Sequence, residues 1–120
     1  PDGNILRLAS LYHNLAMTYL KMKDDAKAAP AFEESLKLMR WDLGQKNELV
    51  ADEYYAAAEC RRRLGDAEQA EKYYKTFLRL AEVEYKRCAP TVELLKKMGR
   101  WYDPEPSPKY FEELRIPNDQ

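Results

Sequence analysis

Glycine and cysteine are both scarce in this chain of 120 residues, which has four of the first and two of the second. So few glycines leave little tight-turn chemistry, and the stretch from Ile5 to Arg87 is free to be helical almost throughout. Cys60 and Cys88 have no Cys-x-x-Cys partner and no companion histidine. That excludes a disulfide framework and a zinc site, and makes a reducing, cytoplasmic location the expectation. The single histidine, His13, has no residue at useful spacing to make it a general base or metal ligand. Charge of one sign is missing too: 20 basic against 21 acidic side chains leave a net charge of −1. Without a long-range field, neither nucleic acid nor an anionic membrane surface is an expected partner. No apolar run approaches bilayer length, and no charged start leads into an apolar segment, so neither a membrane span nor a secretory signal is expected. The chain opens with Pro1-Asp2-Gly3 rather than Met, as an excised piece of a longer protein would.

What the chain does have is an echo of itself. Tyr12, Ala16, Asp24, Ala28, Leu36 and Leu38 return 42 residues later as Tyr54, Ala58, Asp66, Ala70, Leu78 and Leu80. Periods of this order mark stacked helical units. From Ile5 to Met22 the apolar residues recur at three- and four-residue steps, the stripe of an amphipathic first helix. Lys23-Asp24-Asp25 supplies turn and cap chemistry, and a second helix carrying Ala28, Phe32, Leu36 and Met39 runs toward Gly44, with Pro30 in its early turns. A third helix runs from about Glu48 to Leu64 and stops at Gly65, and Asp66 caps a fourth that reaches Cys88 before Pro90 ends it. Thr91 then caps a short helix over residues 91–102 that covers the open end, and the repeat pattern does not return there. Pro104, Pro106 and Pro108 begin a proline-rich tail over residues 103–120. The expectation is an all-α domain of two antiparallel hairpins, 5–44 and 47–89, plus the covering helix.

Within each unit an aromatic is followed by an apolar-small pair, a turn, an alanine, and an aromatic four residues on. Tyr12, Leu15, Ala16, Tyr19, Ala28, Phe32, Ser35 and Leu36 in the first unit, and Tyr54, Ala57, Ala58, Gly65, Ala70, Tyr74 and Leu78 in the second, resemble the tetratricopeptide repeat signature. Small residues let the paired helices approach while aromatics fill the space between them. The ordinary period is about 34 residues, so the match is to longer-helix variants such as those of kinesin light chains, with the extra residues around Trp41 to Asn47. Lys23 stands where the turn glycine is usual, Arg61 where a core tyrosine is usual, and no proline closes either unit. HEAT-like hairpins share the period, but the alanine and aromatic spacing fits them less well.

The resemblance implies a short right-handed α-solenoid whose first helices line a concave groove, acting as a protein-interaction or scaffold module without enzyme activity, cofactor or metal. On that face lie His13, Met17 and Lys21, then Tyr55, Glu59, Arg62 and Arg63. The expected occupant is a peptide or helix, an acidic one if Lys21, Arg62 and Arg63 pair with it, and charge reversal at Arg62 and Arg63 is expected to leave folding intact. Relatives that hold chaperone C-termini use spaced lysines and asparagines, whereas Asp52 and Ala56 stand at such places here, so that ligand is not expected. Arg61-Arg62-Arg63 points around a helix rather than along it, and Glu33-Glu34 falls on a solvated face. The alternative function is self-association: two units fall short of the three a stable stack needs, and a second chain would cover the last helix if Trp101 and Tyr102 do not.

Overall fold

A computed structural model describes residues 3–43, 48–80 and 88–101. Five helices follow one another in chain order: α1 (Gly3–Lys21), α2 (Asp25–Leu43), α3 (Glu48–Arg63), α4 (Ala67–Leu80) and α5 (Cys88–Lys97). No strand occurs among the described residues. The tail over residues 103–120, the segment 44–47, and the proposed continuation of the fourth helix through 81–87 lie outside them.

Aspartates open the second helix of each hairpin in the same way. The Asp24 carboxylate accepts the Lys27 N–H at 3.1 Å and the Asp66 carboxylate accepts the Gln69 N–H at 3.3 Å. Each thereby satisfies one of the N–H groups a helix start leaves without a partner. The preceding helices end alike as well. Lys23, Gly65 and Gly99 have φ of +59°, +87° and +72°. Each donates its N–H to the carbonyl three residues back, while Asp24, Asp66 and Arg100 donate to the carbonyls of Tyr19, Arg61 and Leu95, five residues back. This double bond pattern is the Schellman cap.

The third occurrence of that cap revises the reading of the C-terminal helix. The side-chain pattern does not return after Pro90, but the backbone ending does, at Gly99, 34 residues after Gly65. On that step Cys88, Thr91, Val92 and Leu95 take the places of Tyr54, Ala57, Ala58 and Arg61, and all four are buried. The helix is described from Cys88, three residues before the expected Thr91. Pro90 therefore lies inside the described helix rather than ending the segment before it.

Among the described residues, backbones pack between consecutive helices, α1 on α2, α2 on α3, α3 on α4 and α4 on α5. Ala16, Ala28, Ala58 and Ala70 are fully buried at the close approaches, with Phe32 and Tyr74 filling the space between helices. One apolar cluster joins α1, α2 and α3 through Ala16, Ala28, Phe32 and Ala57. A second joins α2 to α5 through Leu36, Val50, Phe77, Val92 and Leu95, and Leu94, Met98 and Trp101 lie against it. α2 continues to Leu43, so part of the length beyond the ordinary period is extra helix.

Candidate functional site

The side-by-side placement of α1 and α3 creates a groove with two clefts. Ser10, His13 and Asn14 from α1, Leu49, Asp52 and Glu53 from α3, and Met39 from α2 line one of about 420 Å³. Toward the inter-helix turns, Leu20, Lys23, Asp25 and Arg63 line another of about 380 Å³. Met17 and Lys21 lie on the same side of α1, both exposed, and Lys21 has no ion pair among the described residues.

His13 joins the two helices. Its Nδ1 lies 3.0 Å from both carboxylate oxygens of Glu53, a residue that is itself buried. The ring also meets Phe32 edge-on, with centroids 5.8 Å apart. The carboxylate only accepts, so Nδ1 carries the proton in this bond. Tyr55 turns partly inward, with its ring against Tyr74 and Phe77 at centroid separations of 6.0 and 5.1 Å.

The three consecutive arginines fan out to three different partners. Arg61 makes a fork with Glu33 at 2.7 and 2.8 Å, and the same carboxylate accepts the Tyr73 hydroxyl at 2.9 Å. Arg62 donates to Glu59 at 2.7 Å and to the Tyr74 hydroxyl at 3.1 Å, and that hydroxyl donates to Glu59 at 2.7 Å. Arg63 reaches across to Asp25 of α2 at 3.1 Å and also contacts Glu59 at 3.3 Å. Burial pushes the Glu59 carboxyl up, but the hydrogen bonds from Arg62 and Tyr74 outweigh it and hold the group below the ordinary carboxylate range. Burial likewise raises the Tyr74 and Tyr73 hydroxyls, Tyr73 to about 12, with their bonds to Glu59 and Glu33 adding to the effect. The Cys60 thiol beside Arg63 is pushed up to about 11 by burial, which keeps it an unreactive thiol.

Two expectations change here. Arg62 and Arg63 are part of the chain's own bonding, so reversing their charges would set like charges against Glu59 and Asp25 and cost the fold. Glu33 is not a solvated residue but ties α2 to α3 and α4. Its role had one sequence signal: Arg61 at a place where a core tyrosine is usual needs a nearby anion to be half-buried.

Two tetratricopeptide-repeat family models match the chain, one over residues 9–40 and the other over residues 51–84. The chain belongs to the tetratricopeptide repeat family. The starts of the two matches are separated by 42 residues (51 − 9), the step of the sequence echo, and the first match ends three residues before α2 does. No curated protein matches the chain significantly. Tetratricopeptide repeats are non-catalytic modules that mediate protein–protein interaction and scaffolding, and among the described residues no cluster of histidine, cysteine and carboxylate side chains is suited to a metal. No described helix is long and apolar enough to cross a membrane.

Proposed function

We propose that this tetratricopeptide module holds a partner peptide or helix along the α1–α3 groove, with His13, Met17, Lys21, Tyr55, Glu59, Arg62 and Arg63 as its lining. The observation that carries the reading is the pair of clefts, one of 420 Å³ at His13 and one of 380 Å³ at Arg63, both lined from α1 or its end and from α3. Met17 and Leu49 offer exposed apolar contact beside it. A ligand in this groove places an apolar side chain by Met39 and Leu49, and a carboxylate by Lys21 and Lys23 near the C-terminal end of α1. Arg62 and Arg63 contribute by shaping the wall, since their own carboxylates already neutralise them. Acid preference therefore comes from the two lysines and is local and salt-sensitive.

The test is affinity capture with the chain against the Met17→Glu, Lys21→Glu variant, whose substitutions touch none of the internal ion pairs. A binder retained by the parent chain and lost from the variant, and eluted by moderate salt, supports the groove. Identical captured sets from both chains would rule it out.

A further inference from the structure

The side of the first hairpin turned away from α3 is the least covered apolar surface among the described residues. Leu8, Leu11 and Leu15 are 43%, 60% and 42% exposed, Met22 is 65% exposed, and Trp41 of α2 is 79% exposed. Leu8, Leu11 and Leu15 follow the three- and four-residue spacing of a seam that takes another helix lengthwise, and Met22 stands seven residues on, in the turn just past the end of α1. Beside them lies an open hollow of about 410 Å³ between α1 and α2, with Tyr12, Leu15 and Tyr19 on one side and Lys27, Pro30 and Glu34 on the other. The internal echo shows what such a face accepts. The residues 42 positions on, Val50, Glu53 and Ala57, are 0–2% exposed: Val50 and Ala57 share apolar clusters with Leu36, Ala28 and Phe32 of α2, and Glu53 is bonded to His13 of α1.

We infer that this face is a homodimer interface in which two copies of the chain pack their first hairpins together about a two-fold axis at Leu15. The pattern is self-complementary in that arrangement. With α1 antiparallel to its copy and Leu15 on the axis, Leu8 stands opposite Met22 and Leu11 opposite Tyr19. Across the hairpin, Leu15 is level with Ala31 on the hollow's other wall, so the same axis sets α2 against its copy near Ala31. Lys27 then falls within one residue's rise, about 1.5 Å, of the level of the second copy's Glu34, and by symmetry the pair forms twice. Trp41, ten residues or about 15 Å from that centre, reaches the level of the second copy's turn at Met22. At the other end of the stack, among the described residues, α5 with Met98 and Trp101 lies over the apolar cluster. Association through one face of this kind closes at two chains and does not grow into filaments.

This interface is separate from the groove, and the test keeps the two apart. Sedimentation equilibrium of the full chain is expected to give twice the 14.1 kDa chain mass. Leu15→Glu should return it to the single-chain mass with its helical circular dichroism retained. Lys27→Glu should weaken the dimer about tenfold, and Lys27→Glu combined with Glu34→Lys should restore it, because the swapped charges meet again across the axis. Met17→Glu with Lys21→Glu should leave the mass unchanged. A chain that stays at single mass up to roughly millimolar concentration, a dimer indifferent to Leu15→Glu, or a double swap no better than the single one would each overturn the inference. Should Leu15→Glu fail to fold, the charge swap alone decides, since Lys27 and Glu34 make only peripheral contacts within the chain.

Discussion

The two hairpins carry the same packing set, yet their first helices live in different surroundings. Leu8, Leu11 and Leu15 of α1 face outward, while their counterparts Val50, Glu53 and Ala57 on α3 are sealed between α3 and the first hairpin. A repeat conserves the positions where its own two helices meet and lets the outer positions follow whatever lies beyond. Leucine is tolerated on α1 because no other described helix of the same chain lies over it; α3 has a smaller residue at two of the three places and a glutamate at the third. That glutamate takes a bond from His13 of the preceding hairpin. The echo is therefore a rule about helix pairs and not about individual helices.

The comparison breaks most sharply if the residues of one helix are written onto the other. Ala57→Leu copies Leu15 into the covered site, where there is no space for three further carbons, and should cost about 3 kcal/mol in urea unfolding through overpacking. Leu15→Ala, measured at a protein concentration low enough to keep single chains, should cost well under about 1 kcal/mol because the side chain is only half removed from water. An Ala57→Leu midpoint equal to that of the parent chain would mean that α2 does not lie on this face.

The next difference lies in the groove, where Glu59 answers Met17. Glu59 holds Arg62, Arg63 and the Tyr74 hydroxyl, while Met17 is exposed on its helix. Glu59→Ala leaves the buried Tyr74 hydroxyl and the half-buried Arg62 guanidinium without their shared acceptor and should cost about 2 kcal/mol, whereas Met17→Ala should be close to neutral. The pH dependence sharpens the contrast. The folded Glu59 titrates below its ordinary value of 4.5, so its contribution is complete above that pH and is lost as pH falls through the lower folded value. The parent chain should therefore lose more stability than Glu59→Gln on acidification below 4.5. Parallel stability curves for the two proteins would remove Glu59 from the network.

Elements held by local chemistry were legible in the residues: the stripes of the first four helices, the Asp24 and Asp66 caps, and the stop at Gly65 are all written within a few positions. The fifth helix was legible only as a covering helix. Its packing residues, Cys88, Thr91 and Val92, share no chemistry with Tyr54, Ala57 and Ala58, so only Gly99 carries the repeat. Pro90 read as a stop, although the described helix runs through it. At the site, the resemblance to the family pointed to one side of each first helix, and His13 on that side of α1 meets Glu53 of α3. The partners of the arginines did not, since Arg61 meets Glu33 across 28 residues and Arg63 meets Asp25 across 38. Which carboxylate a long cation reaches is decided by how helices are set side by side, and the stripe that predicts a helix leaves that offset open.

The smallest contrast lies in the turns, and it isolates backbone conformation from packing. Lys23 and Gly65 occupy equivalent places in two Schellman caps, both at positive φ. A side chain at Gly65 would meet nothing within 4 Å, so the cost of Gly65→Ala is conformational alone and should be about 1 kcal/mol. Lys23→Gly relieves the same strain in the first hairpin, but it also frees the unfolded chain, which offsets part of the gain. The net stabilisation should be about 0.5 kcal/mol, visible as a higher urea midpoint with an unchanged slope. If Lys23→Gly instead lowers the midpoint, the lysine side chain holds the first turn in a way glycine cannot, and the two caps are equivalent in hydrogen bonding but not in energy.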